Sequence, residues 1–137
     1  MTADHLPEVM KIEQASFHDP WTLTAFRDLM IQSRTNWVAL VEDKVAGYLM
    51  TQWVLDELHI LNIAVAKEFR RKGVAAALLN FLLDLGRARK SRVIFLEVRV
   101  SNSPAISFYQ KYGFSILSTR KRYYRDGEDA WVMHKSL

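Results

Sequence analysis

The chain has 137 residues, no cysteine, half of its residues hydrophobic and a formal net charge of +4 at pH 7. Such a length is typical of one domain, and the composition excludes a disordered or fibrous protein. Without cysteine the chain forms no disulfide and no thiolate metal site, and no acyl-cysteine intermediate can form. No apolar run reaches the roughly 20 residues of a membrane span, and residues 1–7 lack a signal-peptide pattern. We therefore expect a single cytoplasmic domain over residues 1–137 with no membrane partner.

Basic residues cluster at positions 70–72, 87–92 and 120–125. Such clusters can attract nucleic acid, an anionic cofactor or an acidic partner, although a charge run is more commonly a solvated face. No recognised nucleic-acid motif accompanies them, so we expect no dedicated nucleic-acid binding. The four histidines show no paired ligand spacing, and we expect no metal site.

The first half of the chain is predicted to form two helices and a hairpin. Apolar spacing over residues 4–17 indicates an amphipathic helix, which residues 18–21 interrupt. Thr22 is expected to cap a second helix. Residues 37–41 and 45–54 then favour two antiparallel strands.

A β-α-β unit is predicted next. Residues 57–65 indicate a strand, residues 74–89 a crossover helix and residues 92–100 a second strand, so the two strands should be parallel neighbours. The apolar stripe of the helix is expected to comprise Val74, Leu78, Phe81, Leu82 and Leu85.

The remaining residues favour a short helix and a closing hairpin. Ser103 is expected to cap the helix, with Pro104 at its first position and Gly113 at its end. Residues 114–124 and 129–134 should pair as strands, with Asp126-Gly127 as the tight turn between them. The order of elements predicts an α/β or α+β fold, with helices on both faces of the sheet.

The turn before the crossover helix is a candidate anion site. Three cations at positions 70–72 precede Gly73, at which the helix begins. Free N–H groups and the positive end of the helix dipole favour phosphate there, and glycine permits close approach to the backbone. An ordinary strand-to-helix turn on a basic surface is the alternative interpretation.

Glu97 and Tyr109 are candidates for proton transfer. Glu97 lies in the middle of an apolar strand, where a carboxylate must be paired, solvated or used. Pairing with Arg99, or solvation at the strand end, are the structural alternatives. Tyr109 retains its proton at neutral pH and can donate it, although packing against the sheet would equally explain it.

These segments together resemble the GNAT acetyltransferases, most closely the RimI type, which acetylates the N-terminal alanine of a small-subunit ribosomal protein. The resemblance covers nearly the whole chain. It rests on Asn62-Ile63-Ala64-Val65, Arg70-Arg71-Lys72-Gly73-Val74-Ala75, Leu96-Glu97-Val98-Arg99, Ser101-Asn102, Tyr109 and Gly113-Phe114. It implies a central mixed, largely antiparallel sheet with a splayed parallel strand pair.

The resemblance also implies acetyl-CoA as co-substrate and no metal. Backbone groups of Ile63, Ala64 and Val65 would meet the coenzyme, and Asn102 would bind its pantetheine part. The pyrophosphate would be held by Arg71, Lys72, Gly73, Val74, Ala75 and Ala76. Two departures from the family pattern occur here, Ala66-Lys67 in place of Asp-Pro and Ala75 in place of glycine.

In the catalysis that the resemblance implies, Glu97 is the general base, directly or through a water, and Tyr109 protonates the departing thiolate. Pro20, Trp21, Tyr123 and Tyr124 would bind the peptide.

Details of the peptide site remain open from sequence. Glu128 or Asp129 would be available to attract a basic residue of the substrate. Because Tyr123 and Tyr124 are adjacent on a predicted strand, only one should face the peptide. A core anchor beneath the loop is the equal alternative interpretation of Trp21.

We therefore expect acetyl transfer to the N-terminal segment of a ribosomal protein. A lysine, a small amine or other protein N-termini are alternative acceptors, and a non-catalytic CoA-binding or basic interaction module is the alternative from another class.

Overall fold

The computed structural model describes residues 1–33 and 35–137. A 3₁₀ turn, Ala3–His5, leads into the first helix, and another, Lys67–Phe69, precedes the third. The helices and strands of these residues are α1 Leu6–Ser16, α2 Leu23–Gln32, β1 Asn36–Val41, β2 Lys44–Val54, β3 Glu57–Val65, α3 Val74–Ala88, β4 Val93–Arg99, α4 Ser103–Lys111, β5 Ser115–Arg120 and β6 Ala130–Ser136.

Local capping explains where two of the helices begin. The Thr22 hydroxyl accepts a hydrogen bond from the N–H of Ala25 at 3.1 Å, so the predicted cap of α2 is confirmed. In α4 the predicted cap is wrong by one residue, because Asn102 and not Ser103 precedes the helix. The Asn102 side-chain oxygen accepts from the N–H of Ala105 at 3.2 Å and satisfies a donor that the helix leaves free.

The six strands form one sheet in the order β1-β2-β3-β4-β6-β5. Only β3 and β4 run parallel, and the other neighbouring pairs are antiparallel. Because α3 crosses over between β3 and β4, the predicted β-α-β unit is confirmed, as is the mixed sheet.

The parallel pair is short and then opens. Residues 57–60 of β3 pair with residues 93–96 of β4, and the two strands separate beyond Ile60 and Leu96. On its other side β3 stays paired with β2, with Leu61 as an extra residue in the register. This bulge bends the strand, and a gap in the sheet results.

Helices pack on both faces of the sheet, as expected. Leu6, Val9, Ile12 and Phe26 of α1 and α2 form one core with residues of β2. The other core contains the buried face of α3, which comprises Val74, Leu78, Leu79, Leu82, Leu83 and Gly86.

Phe81 is an exception to the predicted stripe of α3. Its side chain is 45% exposed and packs edge-on against the Trp37 ring, 5.3 Å between centroids. The buried face is centred on Leu78 and Leu82, so Phe81 lies at its border, beside β1.

The closing hairpin differs from its prediction. Strand pairing ends at Arg120 and Ala130, and residues 121–129 form a loop. Gly127, with a φ of 89°, donates to the Tyr124 carbonyl at 2.9 Å, so a tight turn lies inside the loop instead of joining the strands directly. Tyr123 and Tyr124 are therefore loop residues. In the part of the chain that the structure describes, no helix has the length and apolarity to cross a membrane.

Gly47 on β2 provides a test of the packing against β3, with Gly86 on α3 as its control. A Cβ on Gly47 would lie 2.8 Å from the backbone oxygen of Ala64, whereas one on Gly86 would meet the end of the Leu137 side chain. We expect Gly47→Ala to lower the free energy of unfolding by about 1–3 kcal/mol, because β2 and β3 cannot move apart without losing contacts. Gly86→Ala should change it by less than about 1 kcal/mol, since Leu137 can rotate and alanine favours the helix. Urea unfolding at equilibrium measures both, and an equal loss in the two variants would contradict this account of the packing.

Candidate active site

A cleft of about 560 Å³ passes through the gap in the sheet. Its walls are the loop between α1 and α2, the diverging ends of β3 and β4, the start of α4 and the loop of residues 121–129. It brings together eight of the residues that the sequence singled out, namely Pro20, Trp21, Ile63, Glu97, Asn102, Tyr109, Tyr123 and Tyr124.

Glu97 lies in the wall of this cleft with its side chain 8% exposed. One carboxylate oxygen is 2.6 Å from Nε2 of His59, and the other is 3.8 Å from Nε of Arg120. The suggested pairing with Arg99 is wrong, because Arg99 binds the acidic side chains of the loop instead. Glu97 is thus a nearly buried carboxylate that lies between the imidazole of His59 and the guanidinium of Arg120.

His59 is a partner that the sequence reasoning missed. It lies opposite Phe95 in the parallel register, and Glu97 follows two residues later on the same face. Histidine spacing in the sequence gives no sign of this pair, because it joins a histidine to a carboxylate on another strand. Once β3 and β4 are taken as parallel neighbours, the register provides the signal.

Tyr109 is 7% exposed and packs edge-on against Phe114, with ring centroids 5.6 Å apart. Its hydroxyl has no hydrogen-bond partner within residues 1–33 and 35–137, and the residue lines the cleft. Burial, and then the proximity of Tyr124, raises the pKa of Tyr109 above its usual value. The phenol therefore keeps its proton at neutral pH, and both earlier interpretations, packing and proton donor, fit this position.

Arg99 holds the loop of residues 121–129 against the end of β4. Its guanidinium donates to Asp126 at 2.8 Å and to Glu128 at 2.9 Å, and lies 4.0 Å from the centre of the Tyr124 ring. The other oxygen of Glu128 accepts from the Ser101 N–H at 2.9 Å. The hydrogen bond from Ser101, and to a smaller extent that from Arg99, lowers the pKa of Glu128 below its usual value.

The acidic residues expected near the peptide both have hydrogen-bond partners. Glu128 is already bound to Arg99 and Ser101, and Asp129 accepts from the Arg122 N–H at 2.9 Å. Both carboxylates therefore help to fold the loop, and attraction of a basic substrate residue by either of them stays a prediction.

Both tyrosines of the loop face the cleft. Their rings contact each other edge-on, with centroids 5.0 Å apart. The expectation that only one could face it is wrong, because they do not lie on a strand. Burial, followed by the neighbouring Tyr123, raises the pKa of Tyr124 to about 12.

On the opposite wall, the Trp21 side chain packs in the core and also lines the cleft, and its role in peptide binding stays a prediction. Its ring packs against Phe26 at 5.5 Å, and the residue also lines the cleft. The backbone N–H of Trp21 donates at 2.8 Å to the side chain of Glu13, which is 1% exposed. Sequence reasoning missed Glu13, because nothing in the local pattern of this amphipathic helix distinguishes it from an exposed acidic residue such as Glu8.

The backbone of β3 faces the gap at alternate residues. Ala66 donates its N–H to Ala46 of β2 at 2.7 Å, so by alternation Ala64 also faces β2, whereas Ile63 and Val65 face the gap. The Ile63 N–H is bound to the side-chain oxygen of Asn62 at 3.1 Å, and the Val65 carbonyl accepts from Arg70 at 3.4 Å.

The turn before α3 lies outside the cleft lining. Arg71 and Gly73 have φ values of 63° and 78°, and a Cβ on Gly73 would meet nothing within 4 Å. Among the described residues, no acceptor is bound to the N–H groups of residues 71–76. A row of free donors at an open helix start suits a phosphate group. No group of three or more His, Asp or Glu side chains in the described ranges is placed to hold a metal ion.

Comparison with known proteins connects this geometry to a family. Residues 6–114 match the acetyltransferase (GNAT) family. The chain belongs to this family. It is an N-acetyltransferase, and both the fold class and the family resemblance predicted from the sequence are confirmed.

Individual relatives span almost the whole chain. The [ribosomal protein bS18]-alanine N-acetyltransferase of Escherichia coli is 37% identical over 131 residues, 93% of this chain and 88% of that protein. The crystal structure of the ribosomal-protein-S18-alanine N-acetyltransferase from Escherichia coli matches with a TM-score of 0.91 at 35% identity. The match covers 99% of this chain and 90% of that one. The structure of Ard1 from Thermoplasma volcanium has a TM-score of 0.96 at 32% identity, covering 100% of this chain and 94% of that one.

The buried tyrosines make the stability of the enzyme sensitive to high pH. In the unfolded chain tyrosine ionises near pH 10, whereas the raised pKa values keep Tyr109 and Tyr124 protonated in the folded state. The unfolded state then binds fewer protons, so stability should fall as the pH rises from about 10 to about 12. Tyr109→Phe should make this decline shallower, because it removes one such group and keeps the ring. Midpoints of urea unfolding at pH 9, 10 and 11 measure how steeply stability falls with pH. Identical slopes in wild type and Tyr109→Phe would contradict the prediction.

Proposed function

We propose that this enzyme transfers the acetyl group of acetyl-CoA to the N-terminal alanine of a small-subunit ribosomal protein, with residues 1–137 acting as one domain. The observation that carries the proposal is the cleft through the sheet, which places Glu97 and Tyr109 between two loops able to receive an extended peptide. The names of the Escherichia coli relative and its Salmonella typhimurium counterpart, which is 35% identical, support the acceptor. A ribosomal-protein substrate would place the enzyme in the cytoplasm.

The residues around the gap suit acetyl-CoA, which supplies an acetyl group activated as a thioester. The open turn of residues 71–76 would hold the pyrophosphate through its free N–H groups. Ile63 and Val65 would meet the pantetheine along the strand edge, and by alternation the Val65 N–H is a free donor there. Asn102 uses its side-chain oxygen as a helix cap, so its NH₂ group is the part available to the coenzyme.

The acceptor amine would reach the thioester from the opposite side, between the loops that carry Trp21 and Tyr124. An α-amine has a pKa near 8 and must lose its proton before it attacks. Glu97 would take this proton, directly or through a water, with His59 at 2.6 Å holding the carboxylate in place. Tyr109 would protonate the thiolate that leaves. Transfer between two bound reactants needs no covalent enzyme intermediate.

A wider choice of protein N-termini is the second candidate. An N-alpha-acetyltransferase of Saccharolobus solfataricus is 33% identical over 98% of this chain and 89% of its own length. Both candidates share the cofactor, the cleft and the chemistry and differ only in the acceptor.

Substitution of the two proton-transfer residues tests the mechanism. Glu97→Gln and Tyr109→Phe should each lower kcat by about 10²–10⁴-fold, because each removes one proton-transfer group. Glu57→Gln and Tyr112→Phe are matched controls, since Glu57 pairs with Arg92 on the surface and neither residue lines the cleft. They should retain full activity. Wild-type kcat in either test variant, measured by release of free CoA, would refute its assigned role.

A peptide panel tests the acceptor. Peptides beginning with Ala, Ser or Met, a peptide with a blocked N-terminus and an internal lysine, and a polyamine are each incubated with acetyl-CoA and the enzyme. We expect mass spectrometry to detect transfer to the free alanine terminus with the highest kcat/KM. Equal transfer to all three free termini would favour the second candidate, and transfer only to lysine or the polyamine would overturn both.

A further inference from the structure

Glu13 is a buried carboxylate to which the reaction described above assigns no role. Its side chain is 1% exposed, and within residues 1–33 and 35–137 no cationic side chain lies within 4 Å of it. A carboxylate in such a place needs hydrogen bonds to offset its lost hydration. Neutral donors alone provide them.

The donors come from three segments that are distant in sequence. The Tyr48 hydroxyl of β2 and the Asn62 NH₂ group of β3, the latter at 2.6 Å, donate to one oxygen. The Trp21 N–H, from the loop between α1 and α2, donates to the other at 2.8 Å. The Glu13 side chain therefore connects the loop between α1 and α2, which forms one wall of the cleft, to β3, which borders the gap.

The charge of Glu13 also fixes which way the Asn62 amide points. An ionised carboxylate only accepts hydrogen bonds, so Asn62 must present its NH₂ group to Glu13. Its oxygen is then directed to the Ile63 N–H, which it binds at 3.1 Å. Through Asn62, Glu13 keeps the Ile63 N–H occupied. Of the two N–H groups that face the gap, this leaves that of Val65 as the free donor.

We propose that Glu13 is a positioning residue for acetyl transfer. Through Trp21 it holds the loop between α1 and α2 in place, and through Asn62 it fixes which backbone N–H group at the edge of β3 is free for the coenzyme. A hydrophobic residue of similar size would fill the same space without a buried charge. The pairing of one carboxylate with both walls of the cleft explains why a charged group is present. The proposal rests on the proposed function, since it concerns the same cleft.

Glu13→Gln is the direct test. The amide keeps the shape of the side chain but has one acceptor oxygen, so it cannot satisfy Trp21 and Asn62 together. We expect KM to rise about fivefold or more for both the alanine peptide and acetyl-CoA. We also expect the Trp21 amide to exchange its hydrogen about tenfold faster, as followed by NMR.

Glu8→Gln is the matched control. Glu8 lies on the same helix and also accepts a backbone N–H, that of Val45 at 3.0 Å, but it does not line the cleft. This variant should accelerate exchange at Val45, leave Trp21 protected and change both KM values by less than about twofold. Equal KM changes in the two variants would indicate a general effect on folding and would overturn the proposal.

Asn62→Ala provides a test that does not require the Glu13 variant to fold. It removes the link to Ile63 and leaves the Trp21 bond to Glu13. The KM for acetyl-CoA should rise about fivefold, while the peptide KM and Trp21 exchange stay within about twofold of wild type. Unchanged KM values for both substrates would overturn the proposal.

The exchange measurement separates the two proposals from each other. If the wild-type enzyme acetylates none of the peptides, the proposed acceptor is wrong, yet faster Trp21 exchange in Glu13→Gln still supports the positioning role. If Trp21 exchange is equal in wild type and Glu13→Gln, the positioning role is wrong even in a fully active enzyme.

Discussion

The separation of β3 from β4 after a short parallel pairing is the constraint on which the rest of the molecule depends. Pairing ends at Ile60 and Leu96, while β3 remains bonded to β2 and β4 to β6. The inner edges of two strands are therefore left without a strand partner in the middle of a sheet. Backbone N–H and C=O groups in such a place need other partners, and an extended ligand can supply them. The gap exposes these edges to the cleft without any change in the outer pairing of the sheet.

The residues around the gap are held in place by two hydrogen-bonded networks, one on each wall. Glu13 joins α1, β2 and β3 to the first loop, and Arg99 joins the end of β4 to the second. Both use a charged group with several partners, which gives a defined geometry that apolar contacts alone do not provide. The two loops can therefore form the walls of the cleft although they are not part of the sheet.

The two residues proposed for proton transfer come from one short stretch of chain. Glu97 lies on β4, Asn102 caps α4 and Tyr109 lies on that helix, so a strand, a turn and a helix bring a carboxylate and a phenol to the same cleft. Much of this could be predicted from the sequence, because an apolar strand with an internal glutamate, followed by a helix start with Pro104 in its first turn, is a local pattern. His59 could not be predicted, since it reaches Glu97 only through the register of β3 and β4. The loop position of Tyr123 and Tyr124 was also missed, because Asp-Gly indicates a turn but does not show how far pairing extends on either side.

The sequence by itself determined the order and type of the elements, the β-α-β crossover, the free helix start at Gly73 and the family to which the chain belongs. These follow from periodicity, capping residues and short motifs, which act over a few neighbouring residues. Only the tertiary structure decided the partners of the charged groups. Arg99 binds Asp126 and Glu128 instead of Glu97, and Glu13 binds residues from three distant segments. The reason is physical: a buried charge takes whichever donors or acceptors the packed chain brings within about 3 Å, and that choice depends on the folding of the whole chain.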